Sequence, residues 1–247
     1  CWTTRHALAE GESAARQGDH AAKDRAGKVL FYEDFSEGME NWWVEGGRQV
    51  QVRDGRLHVD ANPPTDVVDG GVCTVWCKRQ FPGDVRVEFD AHVIESVPNV
   101  NNINFFLCYS DPGGKPLYET RNERKSAKYS LYHKLNGHIF TYLRDARPAA
   151  GANADGSAKG RFRIRRNPGF RLLGEAFDYH CEQGWTYHVV LIKRGGNLSM
   201  AVDGTVYCRA KDQEPLEGGL LGLRTYRTHL WWDNIRVIEA PRSLSSK

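Results

Sequence analysis

From position 85 to 93 the chain alternates side chains, Val85, Val87, Phe89, Ala91 and Val93 against Arg86, Glu88, Asp90 and His92. A period of two predicts a strand with one face buried and the other wet. Ile103, Phe105, Leu107 and Tyr109 repeat the pattern against Asn102, Asn104, Phe106 and Cys108. Further strands are predicted at 130–133, 138–144, 161–165, 187–193, 198–202, 205–209, 220–226 and 230–238, and the domain starts at Val29-Leu30-Phe31-Tyr32. Two hairpins announce themselves by their turns, Asp54-Gly55 between 49–52 and 57–59, and Asp203-Gly204 between 198–202 and 205–209, because such pairs accept the positive φ of a tight turn.

Strands in this number, with neither an amphipathic helix nor an internal repeat, predict an all-β fold of two stacked antiparallel sheets, a β-sandwich or jelly roll. One domain over 28–240 accounts for them. Residues 1–27 are rich in Ala, Gly, Glu, Arg and Asp and poor in large apolar groups, so they read as a flexible tether, and 241–247 read as a disordered tail. The polar stretches 111–128 and 145–160 are long loops of the kind that often carry function.

Composition sharpens this picture. The chain of 247 residues holds 25 Gly, 7 Trp, 10 Tyr and 10 Phe, which favours turns and pleated surface over helix. No apolar run approaches the length of a transmembrane helix. Thirty-four basic residues against 31 acidic ones give +3, too little for a protein whose main work is neutralising nucleic acid. Cys1 followed by a polar stretch matches a processed bacterial lipoprotein, with the thiol carrying a lipid and the protein in the periplasm or at the cell surface; an arbitrary boundary explains it equally well. Cys73, Cys77, Cys108, Cys181 and Cys208 lack zinc-ligand spacing and read as buried thiols or as one or two disulfides.

The polar faces of the strands supply the candidate chemistry. Tyr132 and His133 lead through Asn136 to His138, Tyr142 and Arg144; Arg161, Arg163 and Arg165 share one strand face; Asn102 and Asn104 share another. Guanidinium, imidazole, phenol and amide groups on one concave sheet would suit a carboxylated or sulfated ligand. Alternating arginines also protect sheet edges, and His58, His188 and His229 read as structural. Glu88 and Asp90 have the spacing of a glucanase carboxylate pair, yet His92 stands where a third carboxylate is needed. Asp233 with Glu33 or Asp34 could hold a structural Ca²⁺ through hard oxygen ligands, against plain capping of a sheet edge; no other cofactor is called for. Trp43, in Trp42-Trp43-Val44-Glu45-Gly46-Gly47, could stack a sugar ring or fill a core.

Several short stretches together resemble the bacterial YesU-like family of the concanavalin A-like lectin/glucanase superfamily. They run from Trp43-Val44-Glu45-Gly46-Gly47 and Gly55-Arg56-Leu57-His58, through Val75-Trp76-Cys77, Phe81-Pro82, Asp90 and Ile94-Glu95, to Tyr132-His133, Asn136 and Tyr142-Leu143-Arg144. Arg166-Asn167-Pro168-Gly169-Phe170, Asp203-Gly204 and Gly222-Leu223-Arg224 complete the match. The resemblance implies a concanavalin A-like jelly roll and a role on carbohydrate, without an established reaction. Joined to the cationic faces, it leads to the expectation of an exported protein that cleaves an acidic, uronate-containing polysaccharide or oligosaccharide by β-elimination. In that expectation His133 is the base, Tyr132 or Tyr142 the acid, and Arg144, Arg163, Asn104, Asn102, Trp43, Glu45 and His138 hold substrate. A glycosidase using Glu88, Asp90 or Glu45 and a non-catalytic carbohydrate-binding module are the rivals.

Overall fold

The strands, in chain order, are β1 (Val29–Glu33), β2 (Trp42–Gly46), β3 (Gln49–Arg53), β4 (Arg56–Asp60), β5 (Val72–Cys77), β6 (Phe81–Pro82), β7 (Val85–Ser96) and β8 (Asn102–Ser110). Then follow β9 (Asn136–Arg144), β10 (Gly160–Asn167), β11 (Arg171–Ala176), β12 (Thr186–Arg194), β13 (Asn197–Val202), β14 (Thr205–Lys211), β15 (Gly218–Tyr226) and β16 (Thr228–Glu239). They belong to a computed structural model that describes residues 27–62, 71–97, 100, 102–144, 152, 156 and 159–240. Cys1, the expected tether up to residue 26 and the tail 241–247 lie outside the described residues.

Two eight-stranded antiparallel sheets stack face to face. The first runs β14-β13-β12-β7-β16-β4-β3, with β1 also on β16; the second runs β11-β10-β9-β8-β15-β5-β2, with β6 on β15. Alternation explains what lies between them: Val85, Val87 and Phe89 of β7 meet Phe105, Phe140 and Leu223 of the second sheet, all essentially inaccessible to water. Phe89 and Phe105 stack across the sandwich with centroids 5.3 Å apart. Each such side chain contributes about 1.5–3 kcal/mol by leaving water. Both predicted hairpin turns form with positive φ, at Asp54 (53°) and Gly55 (67°) and at Asp203 (49°) and Gly204 (81°).

Four strands, β2, β5, β6 and β11, were not among those predicted, and one predicted strand is something else. Residues 130–132 fall in a 3-10 turn, Tyr129–Tyr132, and His133 caps its C-terminal end. This turn and a second one, Arg121–Arg124, belong to an excursion between β8 and β9 that folds back over the outer face of the second sheet. There Leu117, Tyr132 and Leu135 bury themselves against Trp43, Trp76, Phe106, Ile139 and Leu220, a second apolar core outside the sandwich. Tertiary burial of Tyr132 and Leu135 overrides the short alternating pattern.

Candidate functional site

Register across the strands fixes what the outer face of the second sheet presents. Trp43, Trp76, Gly222, Phe106 and Ile139 stand directly opposite one another on β2, β5, β15, β8 and β9, forming an apolar row that the excursion roofs over. A side chain at Gly222 would come within 2.8 Å of the Trp76 ring, so the row closes only with glycine there. Two residues along each strand a polar row crosses the same face: Glu45, Thr74, Arg224, Asn104, Thr141, Arg163 and, on β11, Glu175. The middle of this second row is open. Arg224, Asn104, Thr141 and Arg163 help line a cavity of about 870 Å³ that is walled by Lys125, Lys128 and Tyr129 of the excursion and by Asn102 and Tyr226.

The cavity is positively charged. Arg163, Arg224, Lys125 and Lys128 line it, and among the described residues no Asp or Glu does. Arg224 is buried, donating from Nη1 to Thr74 Oγ1 at 2.8 Å and to the Ala127 carbonyl at 3.0 Å. Its guanidinium lies over the rings of Tyr129 and Tyr132 at 4.7 and 5.1 Å, a cation–π setting, and no carboxylate among the described residues pairs with it. The Arg163 side chain makes no hydrogen bond or ion pair with a described residue, and its Nε is buried without a partner. Burial and the neighbouring Arg161 push its pKa down to about 10, so it remains a cation at neutral pH. The side-chain oxygens of Asn102 and Asn104 are likewise buried and unpartnered. Burial raises the Tyr129 phenol against the pull of Arg224 and Arg163, which keeps the phenol protonated at neutral pH.

Beside the cavity, Glu45 is the hub of the second core. Its Oε1 faces Arg124 Nη2 at 3.0 Å and accepts from Trp43 Nε1 at 3.3 Å, while Oε2 accepts from Trp76 Nε1 at 3.0 Å and Tyr132 Oη at 2.7 Å. Four donors occupy a carboxylate that is 1% exposed. Three sequence-based assignments are corrected here. Glu45 is saturated by protein, Tyr132 is fully buried with its hydroxyl committed, and Trp43 stacks on Trp76 at 5.9 Å inside the core and offers no face to a sugar.

Strand alternation removes three more, and placement on the other sheet removes Glu88 and Asp90. Tyr142 points into the sandwich, stacks on Phe162 and donates to the His180 carbonyl at 2.8 Å. His138 shares its face and is fully buried, its Nε2 at 2.8 Å from Asp212 Oδ2, where Arg166 and Arg171 also meet that carboxylate. Arg144, two residues beyond Tyr142, is on that side as well, near enough to Cys181 to favour its thiolate, and lines no part of the cavity. Glu88 and Asp90 sit on the first sheet, Glu88 paired with Arg86, and Asp90 accepting from Asn234 Nδ2 and facing His188 Nδ1.

Of the predicted residues, Arg163, Asn102 and Asn104 do reach the cavity, whereas His133 stands behind its wall. The His133 ring stacks on Phe170 at 4.1 Å and meets the edge of Tyr129 at 5.0 Å. Burial, with Arg224 and Arg165 nearby, lowers its pKa, and its Nε2 is buried without a partner. Glu33 and Asp233 do not form a calcium site together: Glu33 accepts from Phe35 N and Trp42 Nε1, and Asp233 lies 3.7 Å from Arg56. Among the described residues no cluster of three metal-ligating side chains occurs. Cys73, Cys77, Cys108, Cys181 and Cys208 are buried thiols, and burial raises every one.

Sequence reasoning assigned no role to Arg224, Tyr129, Lys125 or Lys128. Arg224 sits among leucines and glycines with no cationic neighbour on its strand, so only cross-strand register reveals it. Tyr129 was hidden by reading 130–133 as a strand; in a turn of period three, Tyr129 and Tyr132 share a side, one at the cavity and one in the core.

Comparison with known proteins places this geometry. A Bacillus subtilis protein of unknown function with a galectin-like fold superposes with a TM-score of 0.72 at 21% identity, covering 88% of this chain and 98% of that one. The carbohydrate-binding module CBM66 from Bacillus subtilis gives 0.53 at 13% identity over 81% and 97%. SCLam, a non-specific endo-β-1,3(4)-glucanase of family GH16, gives 0.54 at 11% identity over 87% and 91%. At these identities the likeness shows the fold, a galectin-like, concanavalin A-like sandwich. No curated protein matches the chain. The model of the family described as "Domain of unknown function (DUF6250)" matches residues 67–235, more than half of the chain, and the protein therefore belongs to that family.

Proposed function

We propose that the protein acts on an acidic saccharide held in the cavity of the second sheet, and that the reaction is β-elimination at a uronate. One observation carries the reading: among the described residues four cations and no carboxylate line the cavity, and Arg163 Nε and the side-chain oxygens of Asn102 and Asn104 there lack partners. A half-buried cation whose facing carboxylate, Glu175, is already paired with Arg161, and a buried acceptor without a donor, both call for a ligand that supplies what is missing. A sugar acid supplies carboxylate and hydroxyl together. That a carbohydrate-binding module and an endoglucanase share the fold supports a saccharide as the ligand.

That no carboxylate pair lines the cavity among the described residues favours elimination over hydrolysis, which canonically needs two. In elimination a base removes the C5 proton, the pair from that C–H bond becomes the C4–C5 double bond, and the C4–O bond breaks. The leaving oxygen takes a proton from an acid, and no water enters. Arg224 or Arg163 on the uronate carboxylate would make the C5 proton acidic. Tyr129, protonated and facing the cavity, is the acid in this reading, in place of Tyr132 and Tyr142. His133, packed on Tyr129 and uncharged at neutral pH, is the base. Its position behind the wall is the observation that favours the second reading, a binding module in which the same cations hold the glycan without turnover.

Incubation with a panel of uronate polymers, read by product mass and by absorbance of the unsaturated product, tests both. Elimination gives products whose masses sum to the substrate, and both Tyr129→Phe and His133→Gln lower turnover by at least about a hundredfold. Products heavier by one water refute elimination. Saturable binding without product establishes the binding module instead.

A further inference from the structure

The polar row has a feature that a site for a single acidic sugar does not require: its two arginines stand apart. Arg224 on β15 and Arg163 on β10 are separated in register by Asn104 on β8 and Thr141 on β9. Three strand spacings lie between them, roughly 14 Å from backbone to backbone. That is longer than one pyranose ring. The floor between the charges is neutral, and the Asn104 oxygen on it is buried with no partner. An anion there would meet an acceptor; a hydroxyl would satisfy it.

We infer, on the basis of the acidic-saccharide reading above, that the cavity selects an oligosaccharide with at least two anionic groups, one at Arg224 and one at Arg163, lying across the strands with its hydroxyls on Asn104. The two ends are built differently. Arg224 is held in place by Thr74, the Ala127 carbonyl and two aromatic rings, and Arg163 has no such hold. The first is a preformed anchor; the second gains its partner only when a longer ligand arrives. The site thereby discriminates by charge number and chain length, because a monomer engages one guanidinium and leaves the other bare.

The test measures calorimetric affinity for galacturonate, glucuronate and mannuronate series from monomer to tetramer, using the full chain. Its variants are Arg163→Gln and, as a charge-matched control on the first sheet, Arg236→Gln. Arg163→Gln removes no side-chain hydrogen bond to a described residue, so its thermal midpoint should match the parent. For the series that binds, the tetramer should bind more tightly than its monomer. Arg163→Gln should weaken the tetramer by about ten- to a hundredfold, leave the monomer within about twofold, and reduce the salt dependence of tetramer binding. Arg236→Gln should change neither. If Arg163→Gln weakens monomer and tetramer equally, or affects neither, the two-anion inference is overturned while the acidic-saccharide reading stands. If no series binds at all, both fall.

Discussion

Glu45→Gln is the substitution to which the second core should be most sensitive. It preserves shape and volume while removing the charge that compensates Arg124, a residue 3% exposed whose other contacts are Thr120 and the Leu117 carbonyl. Breaking a buried ion pair by removing one partner costs about 3–5 kcal/mol, because the remaining charge stays buried. Glutamine makes matters worse in one respect. Both oxygens of Glu45 meet two donors each, Arg124 with Trp43 and Trp76 with Tyr132, so the new amide group faces donors whichever way it turns. For a domain of this size such a loss lowers the thermal midpoint by roughly 6–20 °C. Calorimetry on the parent, Glu45→Gln, Arg124→Met and the double variant measures it. The double variant should be less destabilised than the sum of the singles, since it removes both charges. A midpoint for Glu45→Gln within about 2 °C of the parent would refute the assignment of Glu45 as the hub.

Two further outcomes follow from the same geometry. Gly222→Ala should cost about 1–3 kcal/mol by pressing on the immobile Trp76 ring, and urea unfolding should show a lowered midpoint; an unchanged midpoint means the apolar row has slack. His138 is held neutral by burial, its pKa pushed from 6.5 to about 4 against the pull of Asp212. The unfolded chain therefore takes up a proton that the folded chain refuses, and stability should fall as the pH drops from about 6.5 to 4. His138→Gln should flatten that part of a stability–pH series; an unchanged slope would show that His138 contributes nothing to it.

Much of the sandwich was legible because its signal is local. Alternation in β7, β8 and β10 and the two Asp-Gly turns depend on neighbours in sequence, and those elements appear where expected. The site was legible only in pieces, since it is assembled across strands. Arg163 and Asn104 are separated by some sixty residues in the chain yet stand two strands apart in one row. Tyr142 and His138 looked equivalent to Arg163 in composition and differ only in pointing inward, which alternation from Phe140 decides once the inner face is known. Trp43 and Glu45 were misjudged for another reason: nothing local announces that an excursion of the chain will cover them.

That excursion divides the labour of recognition between two kinds of sequence. The floor of the cavity belongs to strands whose reverse faces fill the sandwich, so any change there is constrained from behind. Lys125, Lys128 and Tyr129 belong to a single stretch whose anchor is one carboxylate and a handful of aromatic rings. As long as Glu45, Trp76 and Tyr132 are kept, the rim can be rewritten without disturbing the scaffold, and relatives with the same floor can acquire different preferences by exchanging one continuous segment.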